Sequence, residues 1–436
     1  MREMKDSGIE WIGEIPKDWV CCKVKNATSF VGSGTTPTSS NQEFYDGDIS
    51  WIQSGDLYKA VAVESVEKKL TLKALKSFSA LHIYQAPFIV MAMYGASVGN
   101  TAFSKIDACC NQACCCIKNN EFFNLNFMYY WLILAQIDFL GRAIGGTQPN
   151  ISQEKIRNQH IVKPSLEEQQ QIADYLDTKC SEIYATAEDI QKEISLLEEY
   201  KKSVITEAVT KGLNPDAEMK DSGIEWIGEI PKHWKVARLK HVLSEAMKYG
   251  ANETGVEYSS EMPRYIRITD ISLDGKLKDT GKLSLPNNVA KEYILKDKAI
   301  LFARSGATVG KTFIYKSEYG KMAFAGYLIS AYCNEKLFSP ELLYYFTNSF
   351  AYSEWINRVF SQSTIQNIGA DKYVNMILTV PKITEQQQIV SYLDSKCSEI
   401  DSLIADKKRQ LDILADYKKS LIYEYVTGKK EVPVNE

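Results

Sequence analysis

Two long segments of the chain repeat apolar residues at alternating spacings of three and four positions. The first stripe runs from Ile172 to Ala208, and the second runs from Ile389 to Leu421. This heptad spacing predicts two long amphipathic helices, each with one face buried against another helix. Pro164 and Pro381 stand just before the two segments, as is typical of a helix start. Each helix of about 44 residues would extend roughly 66 Å at 1.5 Å per residue.

The partner that we expect for each predicted helix is the other one. A single amphipathic helix of this length must bury its apolar stripe against something. An antiparallel pair would place one domain at each end and would act as a spacer between the two. Two unrelated helices that bind separate partners are the alternative. Lys201 interrupts the first stripe, and we expect the adjacent Tyr200 to fill the seam in its place.

The helices belong to a larger internal duplication. The segment Met4–Trp19 returns at Met219–Trp234 with one change, and Glu168–Ile183 returns in similar form at Glu385–Ile400. The regions between these anchors diverge, but short motifs keep their order. Trp51–Asp56 parallels Tyr265–Asp270, Tyr94–Thr101 parallels Ser305–Thr312, and Gly146–Ile151 parallels Ser363–Ile368. Such a repeat predicts two variable domains that share a fold but present different surfaces.

The variable domains read as mixed α/β structure. Short β-forming runs are broken by Gly, Ser and Asn, a pattern typical of short strands joined by turns. The predicted strands are Ile49–Ile52, Phe88–Met93, Tyr265–Ile268, Ala299–Ala303 and Thr312–Tyr315, and the predicted helical runs are 126–140 and 340–350. The expected fold class is α+β, with two tandem mixed α/β domains separated by a pair of long antiparallel coiled-coil helices in a pseudo-two-fold internal duplication.

The duplication divides the chain into seven segments. These are an N-terminal repeat segment (1–16), the first variable domain (17–163), the central helix (164–212), a linker with the second repeat segment (213–230), the second variable domain (231–380), the C-terminal helix (381–428) and a tail (429–436).

Composition is typical of a soluble globular protein. The chain has 436 residues, of which 45% are hydrophobic and 24% are charged. No apolar run approaches the roughly 18 residues that a membrane span needs, so we expect no membrane association. The first six residues contain no apolar core region and do not resemble a signal peptide. We therefore expect a cytoplasmic protein.

Charge is distributed unevenly along the chain. The net charge is −4, which by itself argues weakly against nucleic acid as a partner. However, residues 20–163 carry 13 basic and 10 acidic side chains, and residues 235–380 carry 19 and 14. The variable domains are therefore mildly basic, whereas the helices and repeats are acidic. This asymmetry suits domains that touch phosphate and a spacer that stands away from it.

Five of the ten cysteines lie in the short run Cys109–Cys116. A zinc site is one interpretation of such crowding. However, neighbouring residues of a strand point to opposite faces, so these thiols cannot all close on one ion. A buried strand in a reduced protein is the interpretation that we favour, and we expect no metal.

The motif Ser305–Thr312 is one residue from a phosphate-binding P-loop. The P-loop requires glycine where this chain has Ser305, and the duplicate motif has Tyr94 and Asn100 at the two key positions. The residues that follow Thr312 predict a strand rather than the required helix. Methyltransferase tetrapeptides and paired catalytic histidines are also missing from the sequence. We therefore expect no catalytic residues, and a turn that presents Lys311 to a DNA phosphate is the favoured interpretation.

The lead SGIEWIGEIP, the following Trp19 and the helix start EQQQIxxYLD now combine with the duplication. Together they resemble the specificity (S) subunit of Type I restriction–modification systems, over the range from Met4 to Gly428. The resemblance implies that each variable domain is a target-recognition domain that reads one half of a split, asymmetric double-stranded DNA site. It also implies that the helices fix the gap between the half-sites and that the chain itself is not an enzyme.

The same resemblance implies partners. Two methyltransferase (M) subunits, which bind S-adenosylmethionine, would dock on the helices and repeats, and restriction (R) motor-nuclease subunits would join them. No cofactor is expected in this chain itself. Two alternatives stay open: a stand-alone nucleic-acid-binding protein, and a P-loop-type nucleotide-binding enzyme that uses Lys311.

DNA contacts should come from polar side chains on loops that can reach base edges or phosphates. In the first domain the candidates are Ser33, Thr35, Thr36, Gln53, Ser54, Tyr58, Tyr94, Thr147, Gln148 and Asn150. In the second domain they are Arg264, Arg267, Thr269, Arg304, Ser305, Lys311, Thr364 and Gln366. Arg267 and Arg304 could each pair bidentately with guanine. Trp19 and Trp234 are interpreted as packing anchors.

Overall fold

A computed structural model describes residues 2–58, 60–142, 150–272, 275–361 and 367–433. The chain forms two compact units, which are residues 1–190 with 409–436, and residues 191–408. Each unit therefore contains one variable domain together with one part of each long helix. The first unit contains the beginning of the first long helix and the end of the second. The second unit contains the end of the first long helix and the beginning of the second.

The two long helices are Leu166–Lys211 and Ile383–Val426. In the first unit the rings of Tyr175 and Tyr425 lie 4.5 Å apart, and the Lys418 ammonium donates to the Tyr184 hydroxyl at 3.0 Å. Residue numbers on the two helices thus change in opposite directions. In the second unit Lys201 pairs with Asp401 at 2.7 Å and Lys407 pairs with Glu193. The predicted antiparallel pairing of the two helices is confirmed in each unit.

The prediction that Tyr200 fills the helix seam is wrong. Tyr200 is 57% exposed, whereas Lys201 stays in the seam and donates to both carboxylate oxygens of Asp401 at 2.7 Å. One step along a helix turns a side chain by about 100°, which takes position 200 off the buried face. The long apolar stem of a lysine can cover the seam while its ammonium reaches an acidic partner.

The first variable domain is built on a five-stranded sheet and a smaller three-stranded sheet. The five strands lie in the order Thr28–Ser33, Cys114–Asn119, Phe88–Ala92, Thr101–Ser104 and Ala62–Val63, and the three strands in the order Cys109–Cys110, Tyr45–Ile52 and Lys69–Leu70. Further strands are Met4–Asp6, Glu14–Pro16, Val20–Lys23 and His160–Lys163, and the short helices are Val24–Ala27, Leu72–Ser77, Leu125–Leu134, Gln136–Arg142 and Gln153–Asn158.

The second variable domain repeats this arrangement with two four-stranded sheets. One has the order Lys248–Tyr249, Leu328–Ala331, Ile300–Ala303 and Thr312–Ile314, and the other has Val256–Glu257, Leu283–Ser284, Arg264–Ile266 and Met322–Phe324. Further strands are Met219–Asp221, Glu229–Pro231, Lys235–Arg238 and Ile377–Val380, and the short helices are Asn287–Ala290, Pro340–Phe346, Phe350–Ser361 and Ala370–Tyr373. Strands Phe88–Ala92 and Ile300–Ala303, inside the sheets of the two domains, are wholly buried. The tandem domains of mixed sheets and helices, with the two long helices, confirm the predicted α+β class.

The two predicted aromatic helical runs are each interrupted. Residues 126–140 cover all but the first residue of Leu125–Leu134 and most of Gln136–Arg142, with a break at Ala135. Residues 340–350 cover Pro340–Phe346 and the first residue of Phe350–Ser361. The first helix of each pair packs against the sheet that contains strand Phe88–Ala92 or strand Ile300–Ala303, and most of its apolar residues are buried.

Each repeat segment forms a two-stranded hairpin followed by a buried tryptophan. The Trp19 indole N–H donates to Glu168 at 2.9 Å, and the Trp234 indole N–H donates to Glu385 at the same distance. Both indole rings are fully buried, which confirms that they are packing anchors. Each hydrogen bond joins a repeat segment to the first turn of a long helix, so the two duplicated motifs meet in space.

The two glutamates receive different cationic partners. In the first unit Arg2 pairs with Glu168 and also with Asp18, at 2.6 Å. In the second unit Ala217 takes the position of Arg2, and His233, which replaces Asp18, lies 3.0 Å from Glu385. The one substitution within the repeats, Asp18 to His233, is therefore accompanied by a second one just outside them, Arg2 to Ala217. Each carboxylate keeps one basic neighbour.

Replacing Arg2 with alanine is expected to lower the free energy of unfolding of the first unit by about 1 kcal/mol, because the half-buried Glu168 loses a charge-assisted hydrogen bond. Adding Asp18→His would recreate the arrangement of the second unit. It should restore much of the loss at pH 6 and less at pH 8, since the imidazole must be protonated to replace a guanidinium.

Thermal denaturation with hydrogen-exchange mass spectrometry measures both effects. Lys17→Ala is the control, because its ion pair with Glu3 is on the surface and both side chains are more than half exposed. An Arg2→Ala protein as stable as the wild type would contradict this account of the repeat.

Candidate nucleic-acid interface

In the first unit, two turns that follow strands of the two different sheets lie side by side and bring several of the predicted residues together. Strand Tyr45–Ile52 passes through Gln53 into a short 3-10 helix, Ser54–Leu57, where the Gln53 backbone N–H donates to the Asp56 carboxylate at 2.8 Å. This turn lies beside a second 3-10 turn, Gly95–Ser97, that follows strand Phe88–Ala92. Ser54 is partly exposed and Tyr58 is exposed, so both can be reached by a ligand at this edge.

Tyr94 and Asn150 lie next to each other, although they are far apart in sequence. Their backbones form an antiparallel bridge, and both side chains are exposed. Gly95, which follows Tyr94, has a φ of 69°, a conformation that glycine adopts without steric cost. The predicted candidates Thr147 and Gln148 precede Asn150 and lie outside the described residues.

A third turn, Asn111–Ala113, joins this edge and was missed by the sequence analysis. Asn111 N–H donates to Ile52 at 3.0 Å, and Met93 N–H donates to Ala113 at 2.7 Å. The exposed Gln112 at its tip accepts a hydrogen bond from the Thr36 hydroxyl at 2.6 Å. The contact between Gln112 and Thr36 depends on which strands pair. No sequence pattern indicates it, because the turn carries no motif that aligns with the other half of the chain.

The second unit has the corresponding three turns at Ile268–Asp270, Gly306–Thr308 and 325–327. Ala325 N–H donates to Ile266 at 2.9 Å, and Arg304 N–H donates to Tyr327 at 3.0 Å. Ser305 forms an antiparallel bridge with Asn367, in the way that Tyr94 does with Asn150. Tyr327 is exposed at the tip. The backbone of the two edges is therefore equivalent, while their side chains differ. The predicted candidates Thr364 and Gln366 lie outside the described residues.

Arg304 lies over an aromatic ring at this edge. Its guanidinium carbon lies 4.9 Å from the centre of the Tyr249 ring, and its Nε donates to the Asn367 side chain at 3.4 Å. The Tyr249 hydroxyl in turn accepts a hydrogen bond from Ala370 N–H at 2.9 Å. Stacking on a fixed ring reduces the conformational freedom that a long side chain loses on binding. Sequence analysis found Arg304 but neither Tyr249 nor Asn367.

Arg267, by contrast, is bound within its own turn. Its Nε and Nη2 donate to the two Asp270 oxygens at 3.0 and 2.8 Å, and Nη2 also donates to the Gly281 carbonyl at 2.9 Å. The hydrogen bond to Asp270 is the main reason why the pKa of Arg267 is raised. The face that would recognise guanine is thus occupied by a buried carboxylate. The predicted bidentate contact of Arg267 with guanine does not fit this geometry, because such a contact would have to displace Asp270.

Lys311 also departs from the expected geometry. Its side-chain nitrogen is buried, and the next residue begins strand Thr312–Ile314. The expectation that Lys311 is presented on the surface to a DNA phosphate therefore does not fit this structure. The predicted strand is present where a P-loop would need a helix, which also argues against a nucleotide site.

The other predicted residues divide into two groups. Thr35, Thr36, Gln53 and Thr269 lie on turns and are at least partly exposed. Ser33 and Arg264 lie on strands instead, paired with Cys115 and with Met322 and Ser284 respectively. The Arg264 guanidinium donates to the Lys278 carbonyl, which fixes it against its own domain.

Two glycines allow the third turn to approach the strand beside it. A Cβ on Gly34 would overlap the Cys110 carbonyl oxygen, and a Cβ on Gly250 would overlap the Phe324 and Ala325 carbonyl oxygens. The two positions are equivalent in the two units. Neither glycine stood out in the sequence, because close approach of two backbones depends on tertiary structure.

The cysteine run lies in the core beneath this edge. Cys109–Cys110 and the start of Cys114–Asn119 are strands whose five thiols are fully buried, and the Cys110 and Cys116 sulfurs are 3.2 Å apart. Burial raises the pKa of Cys109 to about 12, so this thiol stays protonated at neutral pH. Among the described residues no group of three or more His, Cys, Asp or Glu side chains could hold a metal ion.

The helices of the described chain also lack any stretch that is both long and apolar enough to cross a membrane.

Comparisons with known proteins agree with this duplicated architecture. A family model described as the Type I restriction modification DNA specificity domain matches residues 16–196 and again residues 231–412. The Type I restriction enzyme MjaIX specificity subunit of Methanocaldococcus jannaschii is 25% identical over 435 residues, covering 97% of this chain and 95% of that protein. The MjaVIII specificity subunit of the same organism is 23% identical and covers 96% of this chain and 94% of that protein.

Among solved structures, a chain from a study of complex assembly and conformational transition of the type I R-M system has a similar fold. It superposes with a TM-score of 0.69 at 15% sequence identity, covering 95% of this chain and 99% of that chain.

Proposed function

Since the chain belongs to the family of Type I restriction–modification DNA specificity domains, we propose that it reads a bipartite DNA site without catalysing a reaction. Each variable domain is a target-recognition domain and binds one half-site. The observation that carries this proposal is the repeated edge, in which three equivalent turns present Tyr94 and Gln112 in one unit and Arg304 and Tyr327 in the other. One backbone frame with two sets of side chains suits two different base sequences.

The helices then serve as the spacer between the half-sites and as the platform for two methyltransferase subunits. A duplicated chain offers two equivalent surfaces, which suits two copies of one partner. These subunits would bind S-adenosylmethionine and methylate the DNA, and restriction subunits would join the complex to cleave it. In this arrangement the chain contributes sequence recognition and geometry, and its partners contribute the chemistry.

Neither alternative fits as well. A P-loop-type enzyme would need Lys311 at the mouth of a phosphate site, but its nitrogen is buried and a strand follows it. A stand-alone nucleic-acid-binding protein would not explain why the paired helices are duplicated along with the domains.

A domain exchange tests the proposal. Residues 20–163 are replaced by the corresponding domain of another member of the family, and the chain is expressed with its methyltransferase subunits. Sequencing that detects methylated adenine should show one half of the methylated motif changed and the other half retained. The reciprocal control replaces residues 235–380 and should change the opposite half. A motif that stays whole after either exchange would refute domain-by-domain reading.

A further inference from the structure

The third turn of the first unit is held on both sides of Gln112. Before it, the Asn111 N–H donates to the Ile52 carbonyl at 3.0 Å. After it, the Ala113 carbonyl accepts a hydrogen bond from the Met93 N–H at 2.7 Å. Within the turn the Asn111 side-chain oxygen accepts from the Ala113 N–H at 3.0 Å, so this amide is engaged by its own backbone. The ends of two strands, one from each sheet, therefore fix the turn, and Gln112 is its exposed residue.

Thr36 is fixed in a comparable way on the neighbouring segment. Two residues before it, Gly34 lies so close to the Cys110 carbonyl oxygen that a Cβ would overlap it. The residue after it, Pro37, is buried, and its carbonyl accepts a hydrogen bond from the Tyr45 hydroxyl at 2.6 Å. The Thr36 side chain itself is exposed. Its backbone is therefore already ordered before any ligand arrives.

The Thr36 hydroxyl orients the Gln112 amide. It donates to Gln112 Oε1 at 2.6 Å, which determines where the oxygen and the nitrogen of the amide lie. A glutamine amide has two acceptor positions on its oxygen and two N–H donors on its nitrogen. Thr36 occupies one acceptor position, and within the described part of the chain the Gln112 nitrogen has no hydrogen-bond partner. The side chain therefore presents an acceptor beside a donor.

An acceptor beside a donor is complementary to one base edge of DNA. In the major groove adenine presents the N7 acceptor next to the N6 amino donor, whereas guanine presents two acceptors. Cytosine presents a donor there, and thymine presents an acceptor next to its methyl group. In the minor groove adenine offers an acceptor alone. Both ends of the Gln112 amide can therefore pair with the major-groove edge of adenine, while on guanine the amide oxygen would face another acceptor.

We propose that Gln112 reads one adenine of the first half-site through its major-groove edge, and that Thr36 is the positioning residue for this contact. This inference rests on the proposed function and names the base that one edge selects. Because Thr36 orients the amide in advance, Gln112 loses less conformational freedom when it binds. The equivalent tip of the second unit carries the exposed Tyr327, which has no amide, so the second half-site is read without this contact.

Gln112→Glu tests the assignment by removing the donor. A carboxylate accepts hydrogen bonds and donates none, and it can accept from the N4 amino group of cytosine. The full chain is expressed with its methyltransferase subunits, and fluorescence anisotropy is measured on duplexes that vary one base pair of the methylated motif at a time. The wild type should prefer adenine at one position of the first half-site by about 5- to 150-fold. Gln112→Glu should lose that preference and favour cytosine there, with the second half-site unchanged.

Two further measurements separate base reading from positioning. In 7-deazaadenine a carbon replaces N7, so this base at the assigned position should weaken binding by the wild type and should not weaken Gln112→Ala any further. Thr36→Val removes the hydroxyl and keeps the side-chain shape. It should lower the preference for adenine about 5-fold without changing the melting temperature, because Thr36 and Gln112 are both exposed. Thr36→Ser keeps the hydroxyl and should restore the preference.

Gln85→Glu is the control. It makes the same change in an exposed glutamine that precedes strand Phe88–Ala92, whereas the edge lies after that strand, and it should leave every base preference unchanged. A first half-site that requires no adenine would overturn the inference and leave the proposed function intact. Gln112 variants that weaken binding to all duplexes equally would also overturn it, because the amide would then contact phosphate. A chain without sequence preference in either half-site would overturn the proposed function itself.

Discussion

Replacing Gly34 with alanine is expected to lower the free energy of unfolding of the first unit by about 3 kcal/mol or more. The new methyl group would overlap the Cys110 carbonyl oxygen, and two backbone segments cannot separate without breaking the strand pairing around them. Thermal denaturation and hydrogen exchange of residues 28–52 and 109–119 would measure the loss. Binding to the first half-site should fall with it, because Thr36 and Gln112 lie on the two displaced segments.

Two other glycines give matched comparisons. Gly250→Ala should produce the same loss in the second unit, since the added Cβ would overlap the Phe324 and Ala325 carbonyl oxygens there. Gly55→Ala should change stability by no more than about 0.5 kcal/mol, because no atom lies within 4 Å of the added carbon. If Gly34→Ala melts like Gly55→Ala, the close approach at the first edge is not a requirement of the fold.

Replacing Arg304 with alanine is expected to weaken binding to the cognate site roughly 5- to 150-fold, through the second half-site alone. This range corresponds to about 1–3 kcal/mol for one bidentate contact with a base. Arg304→Lys should not restore binding, because an ammonium cannot form the paired hydrogen bonds of a guanidinium stacked on Tyr249. Fluorescence anisotropy with duplexes that vary one base pair at a time would show relaxed preference at a single position.

Arg238→Ala serves as the control for net charge. Arg238 is exposed on strand Lys235–Arg238, and its guanidinium lies 3.4 Å from the Asn375 side chain rather than at the repeated edge. Its loss should leave base preference unchanged. If Arg304→Ala weakens binding to every duplex equally, Arg304 contacts phosphate and does not read a base.

The candidate site was only partly accessible to sequence reasoning. Tyr94 and Arg304 were found because each follows a predicted strand, and Asn150 because it lies in a repeated loop motif. Strand pairing brings Tyr94 and Asn150 to one edge of the first unit, and Arg304 lies at the equivalent edge of the second. Arg267 was also chosen as a polar side chain able to reach a base, yet Asp270 already binds its guanidinium. A turn motif shows which side chains can leave the backbone at a strand end. It does not show whether such a side chain is already bound to another residue of the same turn, as Arg267 is to Asp270.

Periodicity and repetition along the chain determined the long helices, their antiparallel pairing, the duplication and the family. These features follow from local spacing, since apolar residues that recur every three or four positions lie on one face of a helix with 3.6 residues per turn. Tertiary structure decided the rest. It placed Lys201 rather than Tyr200 in the seam, brought Gln112 to the edge through strand register, and required glycine at positions 34 and 250. These outcomes depend on segments that are distant in sequence, and no local pattern encodes which backbone will lie against which.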